Sequence, residues 1–179
     1  MSAYAPLPDR ILPDSVSFVA ALLVEFPQFA SAGFDPREGT LRVALLVGRR
    51  LPARQRGAFR RRLEDAVAVL HDLEGGPPPR AEVRWQTGPN FTRFELVRSV
   101  EDLTLEELRV VARIAEEAFG PDLVTGERPE DGEERQEELR YALEHARSLR
   151  PGRAVVGVRE RGKVLVYYAS RQARRVPER

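Results

Sequence analysis

Asp35-Pro36-Arg37-Glu38-Gly39-Thr40-Leu41-Arg42-Val43-Ala44-Leu45-Leu46-Val47 is the stretch that decides the fold. Leu41, Val43, Leu45 and Val47 alternate with Arg42, Ala44 and Leu46, which gives a strand one clearly apolar face. The residues before it carry proline near the start and glycine at the end, the composition of a wider hairpin loop. The partner strand is then Gln28 to Phe34. The same signature recurs twice downstream. Ala81 to Thr87 pairs with Phe91 to Arg98 around Gly88-Pro89-Asn90, and Ala154 to Arg159 pairs with Lys163 to Ser170 around Glu160-Arg161-Gly162.

Helices separate the hairpins. Asp14 caps a helix over Ser15 to Glu25 that is apolar on nearly every side and therefore buried, although Val16, Phe18, Val19 and Val24 would also suit a strand. Pro52 opens a second helix reaching Leu73, with Phe59, Leu63, Ala66, Val67, Leu70 and Leu73 as its inward stripe, and Gly75-Gly76-Pro77-Pro78-Pro79 breaks it. Thr104 and Glu107 form a capping box for a third helix over Leu105 to Phe119, with Leu103 and Leu108 as its staple and Gly120-Pro121 as its stop. Asp131 and Glu134 offer a second box for a helix reaching about Leu149, with Leu139, Ala142, Leu143, Ala146 and Leu149 inward.

The order α-ββ-α-ββ-α-α-ββ predicts an α+β fold, an antiparallel sheet built from hairpins with helices packed on it. A chain of 179 residues suits one domain over 1–179, with 1–13 an irregular arm, 121–131 a polar linker and 171–179 a frayed basic tail. The α-ββ-α-β portion over 14–87 also has the elements of a compact two-layer sandwich. The strand order, and whether the last hairpin joins the main sheet, are left open by the pattern.

Composition bounds the function. The absence of cysteine excludes disulfides, thiol catalysis and thiolate metal sites. The start of the chain lacks the basic and apolar segments of a signal peptide, and the longest apolar run, Val16 to Phe26, is too short to span a bilayer. A cytoplasmic location with no membrane partner is expected. The net charge is only +1, but the charges are segregated. Residues 127–144 hold eight acids against three arginines.

The opposite sign gathers in Gly48-Arg49-Arg50-Leu51-Pro52-Ala53-Arg54-Gln55-Arg56-Gly57-Ala58-Phe59-Arg60-Arg61-Arg62, with seven arginines and no acid. A helix N-terminus carries partial positive charge, so cations there oppose helix stability. Arg60 and Arg61 precede Glu64 and Asp65 by four residues and pair with them along the helix. Arg49, Arg50, Arg54 and Arg56 are left without a local partner and form the candidate site for an anion or nucleic acid. Its partner classes are RNA and an acidic protein surface, with the acidic 127–144 segment, in the same chain or a second copy, as the internal alternative.

Other constellations point to structure. Trp85 shares a strand face with Val83 and reads as a core or rim residue, not a stacking platform. His71 and His145 lack metal-ligand spacing and read as surface or rim residues. The acidic run from Glu130 to Glu138 lacks the register of a calcium loop and suits a helix start. The glycines of 75–79 are not followed by the Lys-Ser/Thr of a phosphate loop, and no Gly-x-Ser-x-Gly elbow occurs. No catalytic residue, cofactor or metal site is assigned.

The α-ββ-α-β run, with an arginine-bearing helix leading to Pro79-Arg80-Ala81-Glu82-Val83-Arg84-Trp85, resembles the small KH-like ribosome assembly factors. The likeness covers under half of the chain and is one of element order. The Gly-x-x-Gly clamp of true KH domains is absent, so no residue is carried over from it. The functional expectation is a non-enzymatic binding or accessory protein, RNA- or ribosome-associated through the arginine-rich helix start. The alternative is a protein-interaction or regulatory module acting as a homodimer or in a complex.

Overall fold

The computed structural model of the protein describes residues 14–77, 79, 81–130, 132–149 and 152–169. The arm over 1–13, the tail over 171–179 and Asp131 lie outside the described residues. The elements run α1 (Ser15–Glu25), β1 (Ser31–Asp35), β2 (Thr40–Val47), α2 (Ala53–Leu73), β3 (Ala81–Thr87), β4 (Thr92–Ser99), α3 (Leu105–Phe119), α4 (Glu133–Ala146), β5 (Val155–Glu160) and β6 (Lys163–Tyr168). A single 3-10 turn, Gly120–Asp122, follows α3. The α+β class and the element order are those read from the sequence.

All six strands form one antiparallel sheet in the order β3-β4-β2-β1-β5-β6. It consists of three hairpins side by side, the second, then the first, then the third. The last hairpin therefore joins the main sheet. The portion over 14–87 is not a unit by itself, because β3 lies at the far edge and reaches β2 only through β4. The one neighbour of β3 is β4, and it is the long-range pairing of β4 with β2 that short-range patterning does not report.

The register puts the alternating apolar residues on one face. Phe34 lies opposite Leu41, and Ala32 opposite Val43. Leu45 lies opposite Phe94 and Val43 opposite Leu96. The helices cover this face. Phe18 of α1 meets Phe34 edge-on at 5.3 Å, and α1 approaches β5 so closely at Gly157 that a Cβ there would stand 2.6 Å from Val19 Cγ1. Phe59 of α2 packs on Phe94, Trp85 and Phe119 with ring centroids 5.1, 6.1 and 4.7 Å away. Trp85 is thus a rim residue of the core, as its strand face implies. On the other face Arg42, Glu82, Arg84, Val156 and Tyr167 are exposed.

Caps follow the sequence in part. Asp14 Oδ1 accepts from Ser17 N–H at 2.7 Å and Thr104 Oγ1 from Glu107 N–H at 3.2 Å. Helix α4 starts after Gly132 and ends at Ala146, short of Leu149, and the expected Asp131 box falls outside the described residues. Arg159 donates to the carbonyls of Leu23 and Phe26 and closes the C-terminal end of α1, where burial pushes its guanidinium below an arginine's ordinary value.

The stripe of α2 differs at its end. Phe59, Leu63, Val67 and His71, each four residues apart, are the buried positions, while Leu73 is exposed. The segment 121–131 is polar but docked in its first half: Leu123 bridges to Val47, and Val124 N–H donates to the Leu46 carbonyl at 2.8 Å. No helix among the described residues is long and apolar enough to cross a membrane.

Candidate anion-binding site

The arginine-rich segment starts in the turn between β2 and α2, and this turn is held from below. Thr92 of β4 is fully buried. Its hydroxyl accepts from Leu51 N–H at 2.8 Å and donates to the Arg49 carbonyl at 3.0 Å. Gly48 N–H donates to the Asp122 carbonyl at 2.7 Å, and Leu51 is buried beside them. Residues 48–52 are therefore fixed on both sides before α2 begins. Pro52 takes the N-cap position and offers no side-chain cap. The start of α2 thus has no side-chain cap of its own.

The seven arginines divide into two sets. Arg49 donates to Asp122 Oδ2 at 2.8 Å and to Gln55 Oε1 at 2.9 Å, so it is not without a partner as its sequence neighbours suggested. The partner comes from the turn after α3, seventy-three residues on. Arg60 pairs with Glu64 at 2.8 Å, as the four-residue spacing predicts. Arg62 pairs with Glu117 of α3. Arg50, Arg54, Arg56 and Arg61 have no ion pair among the described residues. The predicted Arg61–Asp65 pair does not form. Instead the Arg61 guanidinium lies back along the helix, 3.4 Å from where a Cβ on Gly57 would sit. Helical side chains lean toward the N-terminus, which carries Arg61 back over the preceding turn. Arg56 is half-buried, with an Nε that is buried and has no hydrogen-bond partner.

The structure therefore leaves Arg50, Arg54, Arg56 and Arg61 outside the ion pairs, with Arg54 and Arg61 on the exposed face of α2 and Arg56 on the side of the buried stripe, and ties Arg49 to Asp122. Arg61, expected to pair with Asp65, is the unpaired arginine that sequence reasoning missed. Among the described residues no ion pair links the 49–62 arginines to the acidic 127–144 segment. Their acidic partners are Glu64, Glu117 and Asp122.

Two other polar constellations are built differently. Between the C-terminal ends of β4 and α2 and the start of α3 lies a buried network. Arg98 holds Glu107 through Nε–Oε1 at 2.6 Å and Nη2–Oε2 at 2.9 Å. His71 Nε2 meets Glu107 Oε2 at 2.8 Å, which is why His71 is a core residue and not the surface residue that its neighbours Asp72 and Glu74 suggested. Burial disfavours the charged Arg98, but the hydrogen bonds and charge of Glu107, with Asp102, outweigh it and hold the guanidinium above its ordinary value. The arrangement is closed to solvent and is structural.

A cleft of about 280 Å³ between α3, the 124–132 segment and the start of α4 is lined by Gln28, Arg109, Arg113, Glu116, Arg128 and Arg135, among others. Here carboxylates answer three of the four arginines: Arg109 pairs with Glu106 at 3.2 Å, Arg128 with Glu116 at 3.4 Å and Arg135 with Glu25 at 3.9 Å, while Gln28 Nε2 also donates to Glu116 Oε1 at 2.8 Å. Among the described residues no cluster of three or more His, Asp and Glu side chains is arranged to hold a metal ion.

Compared with known proteins, the chain matches no family model, no curated protein and no solved structure.

Proposed function

We propose that this protein is a non-enzymatic binding or accessory factor that engages an anionic partner, RNA first, through the start of α2. The observation that carries this reading is the set Arg50, Arg54, Arg56 and Arg61, unpaired among the described residues, just before and over the first three turns of a helix whose start no side chain caps. Cations placed there oppose the helix dipole and recover nothing from a carboxylate nearby. Phosphates would satisfy both the guanidinium groups and the first-turn amides. The turn is held by Thr92 and Leu51, so the groups are presented without an ordering cost from the main chain.

Protein purified from cells tests the reading simply. Absorbance should report co-purifying nucleic acid that leaves on washing with high salt, because phosphate contacts weaken steeply with salt. Protein free of nucleic acid at low salt, with no affinity for added single-stranded RNA, counts against it.

The second reading is a protein-interaction or regulatory module acting in a homodimer or a complex. The β6 edge of the sheet, with which no strand pairs among the described residues, favours it.

A further inference from the structure

The sheet has two edges, and they are treated differently. At β3 the outer strand carries Glu82, Arg84 and Gln86 on its open face, with Arg84 Nε bonded to Glu82 at 2.7 Å. Charges of this kind discourage another strand from adding to an edge. At β6 the residues after Lys163 are Val164-Leu165-Val166-Tyr167-Tyr168, with no charge and high strand propensity. Tyr167 and Tyr168 are more than half exposed, and Val156 beside them is exposed as well. Such an edge is a template for further pairing.

The main chain of β6 shows which groups are free. Glu160 lies opposite Lys163 across the two-residue turn Arg161-Gly162, both at positive φ, and Ala169 N–H donates to the Ala154 carbonyl at 2.8 Å. By the alternation of an antiparallel ladder, Lys163, Leu165 and Tyr167 turn their main-chain groups toward β5, and Val164, Val166 and Tyr168 turn theirs outward. Among the described residues nothing pairs with these outward groups.

We infer that β6 is a self-association edge: two copies of the chain pair β6 with β6 antiparallel about a two-fold axis and join their sheets into one. The strand is self-complementary for this. An axis through Leu165 sets Leu165 against Leu165 of the second copy, Val164 against Val166, and Lys163 over Tyr167, where a cation meets an aromatic face. No like charges are opposed. The apolar face residues Val156 and Tyr167 continue across the seam. Because α2 lies over Trp85 and Phe94 at the opposite end of the sheet, the two arginine-rich helices lie toward the two ends of the joined sheet. The inference takes its class of partner from the second reading above and is independent of the arginine site. A pairing of two short strands buries less than a standard stable interface, so the dimer is reversible and concentration-dependent.

Sedimentation velocity of the full chain from low to high micromolar concentration tests it. The parent should shift from monomer to dimer. Val166→Pro removes an outward N–H and leaves the β5 ladder intact, and should weaken association about tenfold or more with an unchanged circular dichroism spectrum. Because the chain has no cysteine, Leu165→Cys, which meets itself across the axis, should give a disulfide-linked dimer under mild oxidation, and Gln86→Cys on the β3 edge should not. Arg50→Gln/Arg54→Gln should dimerise like the parent, which separates this test from that of the arginine site. A parent that stays monomeric throughout overturns the inference. So does a folded Val166→Pro variant that dimerises as the parent does.

Discussion

Replacing Glu107 by leucine removes the centre of the buried network and leaves its partners in place. The Arg98 side chain is 2% exposed and that of Glu107 1%. Two charge-assisted hydrogen bonds at 2.6 and 2.9 Å vanish, and His71 Nε2 loses its acceptor at 2.8 Å. Asp102 still reaches Arg98 at 3.2 Å but is half exposed, so solvent screens it and it cannot replace a buried carboxylate. A buried charge stripped of its partner costs about 3–5 kcal/mol. Urea unfolding at neutral pH, followed by circular dichroism, should show that loss in the midpoint with the slope unchanged. Adding Arg98→Met should restore most of it, because the uncompensated charge is then gone. The remaining deficit should be about 1–3 kcal/mol for the unsatisfied His71 nitrogen. A Glu107→Leu variant within about 1 kcal/mol of the parent would refute the assignment, since a broken buried pair cannot cost so little. An Arg98→Met addition that lowers stability further would refute it equally.

Thr92→Val should cost about 1–3 kcal/mol, because the Leu51 N–H and Arg49 carbonyl lose their shared hydroxyl, and amide exchange at Leu51 should accelerate with it. Trp85→Ala should lower stability by about 3 kcal/mol, the low end for a large aromatic on the rim of a core, and leave RNA affinity as in the parent. Glu82 supplies a pH test. The hydrogen bond and charge of Arg84 hold its carboxyl below the usual carboxylate range. The pair therefore contributes fully above the unfolded glutamate value and is lost as pH falls through the lower folded value. A side-chain NMR titration should show that depressed midpoint returning to the ordinary range in Arg84→Ala.

Local signals carried the elements, and long-range partners escaped them. Alternation over Leu41 to Val47 and the Thr104 cap were readable because strand faces and helix starts are set by residues next to one another. Glu107 shows the boundary. Its backbone amide sits in the predicted capping box, yet its carboxylate turns to Arg98 and His71, thirty-six residues away along the chain in the case of the histidine. The same holds at the arginine cluster. Arg60–Glu64 was legible by spacing, and Arg49–Asp122 and Arg62–Glu117 depend on α3 packing beside α2. Arg61 departs from its spacing rule, its guanidinium lying back beside Gly57 and not on Asp65. The placement of β3 beyond β4, and of the third hairpin beside β1, follows from closing the core and not from any single segment.

The salt dependence of binding to single-stranded RNA tests the central claim most directly, comparing the parent with Arg50→Gln/Arg54→Gln/Arg56→Gln/Arg61→Gln. Each phosphate contact contributes about 0.7 to the slope of log affinity against log salt for single strands, so four lost contacts reduce it by about 3. The variant should fold as the parent does, with stability equal or slightly higher, since cations are removed from the positive end of α2. Equal affinity and equal slope in the two proteins would contradict the account. So would a parent without measurable RNA affinity at low salt, or a variant destabilised by several kcal/mol.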